Sequence, residues 1–236
     1  MAFRAHSNPS GYSAMLSRIL AAAPLVLLGA CTTFGSVRSA EVNPGGSVAV
    51  QGTVSSPPGD GAAWFWGLDC SVDCDRPVGG GDASLTLGTT AAGRPVSVGA
   101  GMSGIYPYVE GFAQLSRPGR NPWGLGVRAG VPLTSWTEHQ LFARYDLPLR
   151  GETRLLLNPA LFIHTGASPN GENDGTLVAF VQGVGLLHRR PGMSVIPSLS
   201  LAVGRGERDT RFGDEGGPFT TAFGTASVSV VLHRRR

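Results

Sequence analysis

From Ser47 onward, apolar residues alternate with polar residues or glycine at a period of two. Val48, Val50 and Val54 alternate with Ser47, Gln51 and Thr53, and Val96, Val98, Ala100 and Met102 with Ser97, Gly99, Gly101 and Ser103. Trp123, Leu125, Val127, Ala129 and Val131 alternate with Gly124, Gly126, Arg128 and Gly130. The same rhythm returns over Ser194–Gly204 and Thr221–Leu232. Period two puts successive side chains on opposite faces of a strand. About ten such segments are predicted, near 46–54, 83–91, 96–103, 107–116, 121–131, 137–147, 153–164, 176–188, 193–204 and 220–233. Most exceed the ~5–6 residues usual in soluble sheets and match the ~9–11 that a tilted transmembrane strand needs. No amphipathic helix of useful length interrupts them. The pattern predicts an all-β chain with one antiparallel up-and-down β-barrel of about eight to ten strands, of the outer-membrane type, over residues 46–236.

The two faces differ in kind. One carries Tyr108, Glu110, Phe112, Gln114, Arg128, Gln140, Phe142, Arg144, Asp146, Arg154, Asn158 and His164. The other carries Val109, Ala113, Leu125, Val127, Leu141, Tyr145, Leu147, Leu155, Leu157 and Leu161, with no charge among them. A soluble barrel turns its apolar face inward, whereas a membrane barrel turns it toward lipid and keeps its polar face in the lumen. A hairpin about Gly119 sets Glu110 opposite Arg128, and one about Arg150 sets Asp146 opposite Arg154. Opposite charges at paired positions are favourable, and buried ones need such partners. Glu110, Arg128, Arg144, Asp146 and Arg154 are therefore expected to form an interior charge network that plugs the lumen. Pro159 and Pro197 fall inside predicted strands, where each removes a ladder hydrogen bond. Segment 176–188 is apolar on both faces, so its orientation is not set by pattern.

Alternate connections lie at opposite ends of such a meander. The set 92–95, 117–120, 148–152 and 189–192 is short; the other includes long stretches at 55–82, 165–175 and 205–219. Short periplasmic turns and long external loops are usual in outer-membrane barrels. Both ends of the barrel domain then fall on the short-turn side. Acidic residues such as Asp60, Asp73, Asp75, Asp174, Asp209, Asp214 and Glu215 fall in the long connections. That makes lipopolysaccharide or divalent cations candidate partners at the outer loops, beside the plainer reading of polar exposed loops.

The N-terminal segment adds an address. Arg18 leads into the apolar run Ile19–Leu28, which ends at Leu28-Gly29-Ala30-Cys31. A basic residue, a short apolar core and small residues before the cut make a secretory signal over residues 1–30, opened by Met1 or Met15. The core is too short to span a bilayer. Leu28-Gly29-Ala30-Cys31 resembles the lipobox of bacterial lipoproteins, which implies lipidation (diacylglycerol and palmitate) at Cys31. With Thr32 and not aspartate next, resemblance to lipoprotein sorting implies the outer membrane; strand parity, which puts both chain ends on the short-turn side, sets the Cys31 lipid in the inner leaflet. Residues 31–45 are polar without clear period and read as a lipidated tether.

Composition narrows the classes further. Thirty-five glycines and only 15% charged residues fit many strands with close backbone approaches. The net charge is +3, without a basic run interleaved with aromatics, so nucleic-acid binding has no support. Beyond Cys31, the remaining pair is Cys70 and Cys74. In an oxidising compartment it closes a small disulfide loop; as a two-cysteine metal site it lacks a nearby histidine.

Together with the lipobox, three stretches carry a wider likeness: Val42-Asn43-Pro44-Gly45-Gly46, Tyr106-Pro107-Tyr108-Val109-Glu110-Gly111 and Gly124-Leu125-Gly126-Val127-Arg128-Ala129-Gly130-Val131-Pro132. The chain resembles bacterial outer-membrane β-barrel lipoproteins of unassigned function. It departs from outer-membrane barrels in ending Leu232-His233-Arg234-Arg235-Arg236, without a terminal aromatic. The expected role is structural or surface-binding, with outer-membrane lipid as partner and no cofactor. A soluble periplasmic lipocalin-like barrel holding an apolar ligand is the alternative. Catalytic motifs are lacking: no phosphate loop, no Gly-x-Ser-x-Gly and no metal-ligand spacing among the five histidines. A lipid hydrolase using His164 with Ser168 or Ser198 is a third reading, and the expectation is that the protein is not an enzyme. Trp64, Phe65 and Trp66 are candidates for an external binding patch or a membrane-interface contact.

Overall fold

A computed structural model describes residues 36–56, 78–104, 106–117, 121–130, 136–167, 173–210 and 217–233. Ten strands follow in chain order: β1 (Gly45–Ser55), β2 (Val78–Ala91), β3 (Arg94–Ser103), β4 (Tyr106–Gln114), β5 (Trp123–Gly130), β6 (Trp136–Pro148), β7 (Thr153–Ala167), β8 (Asn173–Arg190), β9 (Met193–Thr210) and β10 (Gly217–His233). Each pairs antiparallel with its sequence neighbours, and β1 pairs with β10, so the meander closes into a barrel. Every predicted segment is a strand. Closure removes the exposed edges that an open sheet would present.

The turns at one rim follow local chemistry. Ala92 and Gly93 both have positive φ, at 48° and 75°, the geometry of the two-residue hairpin that matches strand twist. Pro191-Gly192 and Leu149-Arg150-Gly151-Glu152 close the other tight turns there. The opposite rim carries 56–77, 131–135, 168–172 and 211–216. The three long connections are shorter than expected from sequence, because β2 begins at Val78, β8 and β9 each run 18 residues and β10 runs 17. By contrast β4 has 9 residues and β5 only 8. The wall is therefore tall at β7–β10 and low at β4–β5.

The prolines do not bulge their strands. Register is unchanged on either side of Pro159 and Pro197: the β6–β7 ladder simply lacks the rungs at Asn158 and Pro159, and β8–β9 those at Ile196 and Pro197. Many glycines point into the barrel where a ring needs their space. A Cβ on Gly126 would lie 2.3 Å from the Phe142 ring, and one on Gly206 2.3 Å from Phe219.

The largest difference from the sequence reading concerns the tether. From Ser36 the chain lies inside the barrel: Ser36, Val37 and Ala40 are buried, and the segment leaves the lumen near Asn43 before turning at Gly45 into β1. Eight strands leave room for little more than side chains, and ten enclose a wider lumen. Residues 36–42 fill it.

Candidate functional site

The interior of the barrel is the site. All twelve residues assigned to the polar face point inward, and all but Arg154, which is half-buried, are buried. Outside, exposed apolar side chains occur on every strand, from Val54 on β1 through Leu85, Val98, Val109, Val127, Leu141, Leu161, Phe180 and Leu199 to Val228 on β10. Val127 is 59% and Leu199 66% exposed, while Asp146 is fully buried. The exterior is thus apolar where a water-soluble protein's is polar, and the interior is mixed, its charges lying beside a buried cluster that includes Phe162, Leu177, Val181 and Phe223. The ambiguous segment is settled by packing: β8 turns Leu177, Ala179, Val181 and Leu187 inward and Val178, Phe180, Val184 and Leu186 outward.

Two connected charge clusters occupy the lumen. In the upper one, β4 and β5 pair Glu110 with Arg128 as the hairpin geometry required. Arg128 donates to Glu110 Oε2 at 2.9 and 3.2 Å, and Arg144 donates to Oε1 at 2.6 Å. Arg38, from the threaded segment, donates to Asp82 Oδ1 at 3.0 Å, to Ser84 at 2.8 Å and to the Tyr108 hydroxyl at 3.1 Å, and lies 3.9 Å from Glu110. Aromatic faces cover the guanidiniums: Arg128 sits 4.0 Å over Tyr108, and Arg144 lies 4.5 Å from Phe142 and 4.8 Å from Phe112. Such stacking suits arginine, whose delocalised cation is weakly hydrated.

The lower cluster lies at the short-turn rim. Asp146 pairs in register with Leu156 and not, as expected, with Arg154, because the β6–β7 turn is centred on Gly151 and not on Arg150. The Arg154 guanidinium still lies 3.9 Å from Asp146, but its closer partner is Glu41 at 3.1 Å. Arg189 donates to the same Glu41 oxygen at 2.8 Å. Partial burial raises the Glu41 carboxyl, yet the hydrogen bond and charge of Arg189, with Arg154, hold it below the usual carboxylate range.

The wall also reads the backbone of the threaded segment. Amides of Arg38, Ala40 and Val42 donate to Asn158 Oδ1 (2.7 Å), Asp146 Oδ1 (2.7 Å) and Gln114 Oε1 (3.1 Å). Ser39 Oγ donates to Asp146 Oδ2, and Ser36 Oγ accepts from Arg128 at 2.8 Å. Val37 packs with Leu156, Leu187 and Ile196, against Gly183 and Gly185, where a Cβ would approach it to 2.6 and 2.8 Å. Alternate amides satisfied by side chains of one wall are what an extended segment needs once it leaves water.

Neither a protein-family model nor a curated protein sequence matches this chain. The lumen has to be understood from its own residues.

All five charges expected in the interior network are in it, divided between the two clusters. Arg38, Glu41, Asp82 and Arg189 complete it and were not foreseen. Asp82 had a signal: it continues the inward parity of Ser84, but Gly79-Gly80-Gly81 reads as loop. His164 is buried at the long-connection end of β7, with its ring stacked on Phe162 at 6.1 Å. Ser198 bonds Ser227 at 2.7 Å and lies eight positions down β9 from Gly206, the residue level with Leu177 and hence His164. The structure does not bring that pair together. Ser168, Cys31, Cys70, Cys74, Trp64, Phe65 and Trp66 lie outside the described residues. Among the described residues no cluster of metal-ligating side chains occurs.

Proposed function

We propose that this protein is a lipid-anchored barrel of the bacterial outer membrane, with a structural or surface-binding role and a lumen closed by paired charges and by residues 36–42. One observation carries the reading: exposed apolar side chains ring the outside on all ten strands, while carboxylates and guanidiniums are paired inside. Water would penalise that exterior, whereas lipid accepts it. Strand–strand pairing around the ring satisfies the backbone groups that hydrocarbon cannot. The closed lumen favours a scaffold or surface-binding protein over a channel.

The test removes the lipid and asks whether the barrel stays. Cys31→Ala, behind a cleavable secretory signal, is fractionated, extracted with alkaline carbonate and run on gels with and without boiling. Retention in the pellet with a heat-dependent mobility shift is expected. Release as a folded soluble protein refutes the membrane barrel and turns attention to the periplasmic ligand-binding alternative.

A further inference from the structure

The threaded segment has a direction. Val42 sits at Gln114, the last residue of β4 at the short-turn rim, and Ala40 at Asp146, two residues from the end of β6. Arg38 has climbed to Asn158 and Ser84, and Ser36 to Arg128. Arg128 is only two residues from Gly130, where β5 ends at the opposite rim, on the low side of the wall. Traced backward, the chain rises from the short turns toward the long connections.

Lipid on Cys31 has to reach hydrocarbon, because the lumen at Ser36 holds the buried charges of Glu110, Arg128 and Arg144, and the cavities beside the segment, of about 80 and 20 Å³, are too small for acyl chains. Five residue steps separate Cys31 from Ser36, a reach of about 17 Å when fully extended. A return to the short-turn rim would have to descend, in five steps, the height that Ser36–Val42 climbs in six. It would also have to pass beside a segment already wedged between Leu156, Leu187 and Ile196 and clamped by Arg154 and Arg189. Upward, the low wall at β4–β5 is within reach.

Resting on the lipid-anchored barrel reading above, we propose that the chain threads its own barrel, so that the acylated Cys31 anchors in the leaflet at the long-connection rim, the outer leaflet. This reverses the inner-leaflet placement expected from strand parity alone. The lipid then faces the cell exterior, and Ser36–Val42 acts as the stem joining it to β1.

The experiment uses the full chain with Cys31 intact and a sequence-specific protease site inserted between Thr33 and Phe34. Cells are labelled with radioactive palmitate, and protease is added outside. Cleavage on intact cells, with loss of label from a barrel that keeps its heat-shifted mobility, is expected. Cleavage only after the envelope is permeabilised, or none in either case, overturns the threading. A second variant avoids the insertion: Thr33→Cys with Cys70→Ser and Cys74→Ser, treated with a membrane-impermeant maleimide. Labelling on intact cells upholds the proposal, and labelling confined to permeabilised cells overturns it. Uncut protein without palmitate or without a heat shift identifies failure of the underlying barrel-lipoprotein reading, and the threading falls with it.

Discussion

Glu110 is the anion on which the upper cluster turns, and Glu110→Gln isolates its charge at constant shape. Its carboxylate accepts from Arg128 at 2.9 and 3.2 Å and from Arg144 at 2.6 Å, with Arg38 at 3.9 Å. All these side chains are largely buried, Glu110 itself at 7% exposure. The amide keeps one acceptor but aims an N–H₂ at guanidinium donors. Asp82, 3.0 Å from Arg38 and 4.0 Å from Arg128, is then the carboxylate left to those two, while Arg144 loses its 2.6 Å partner. Breaking a buried ion pair by removing one partner costs about 3–5 kcal/mol, mostly the desolvated charge left behind. With a urea slope of about 3 kcal/mol/M for a domain of this size, the unfolding midpoint in detergent should fall by about 1 M or more. The assay follows tryptophan fluorescence alongside the heat-dependent gel shift. The partner variant Arg144→Met completes a double-mutant cycle, in which removing both should cost less than the sum by more than about 1 kcal/mol. A midpoint within about 0.3 M of the parent, or strict additivity, would refute the coupled network.

Four further outcomes follow. Deleting Ser36–Glu41 should produce steady conductance steps in planar bilayers where the parent gives none; a silent deletion that keeps its heat shift would show that side chains alone seal the lumen. Glu41 has a lowered pKa, so its contribution is present above the ordinary carboxylate range and is lost as pH falls through the folded value. The stability gap between parent and Glu41→Gln, measured by urea titration, should therefore be clear at neutral pH and close in acid; a gap that widened in acid would contradict the Arg154–Arg189 clamp. Leu141→Arg, on the exterior belt, should destabilise the inserted barrel by up to about 2–4 kcal/mol in lipid refolding titrations, and no loss would place Leu141 outside hydrocarbon. Gly126→Val should displace the Phe142 ring, at a cost of about 1–3 kcal/mol in the same titrations; an unchanged midpoint would show that the ring swings aside freely.

Legibility in the sequence tracked how local the governing physics was. Period two on Val48–Val54 or Trp123–Val131 reports burial directly, so strand existence and facing came through, as did the Glu110–Arg128 rung. Asp146 and Arg154 slipped by two because register depends on which residue centres the turn, and Gly151 carries the positive φ of 61°. Where both faces are apolar, as on Leu177–Leu187, the pattern carries no sign of which side points inward, and only packing tells them apart. Arg38 and Glu41 were invisible for another reason. Their partners, Asp82 and Arg189, lie 44 and 148 residues away, and no periodicity announces a segment held by side chains of a distant wall.

The seam between β1 and β10 sets the order in which this molecule can assemble. It joins Ser47 to His233 and Ser55 to Thr225, the most distant pairings in the ring, while every other ladder joins neighbours in sequence. Pairings that close long loops form late. Residues 36–42 run directly into β1, so the strand that completes the ring arrives with its own filling attached. A sheet that curled shut early would leave Asp82, Glu110 and Asp146 short of Arg38 and of the amide and hydroxyl donors that the segment supplies. Closing the seam and seating the segment are thus coupled, because residues 36–42 run directly into one of the two strands that the seam joins.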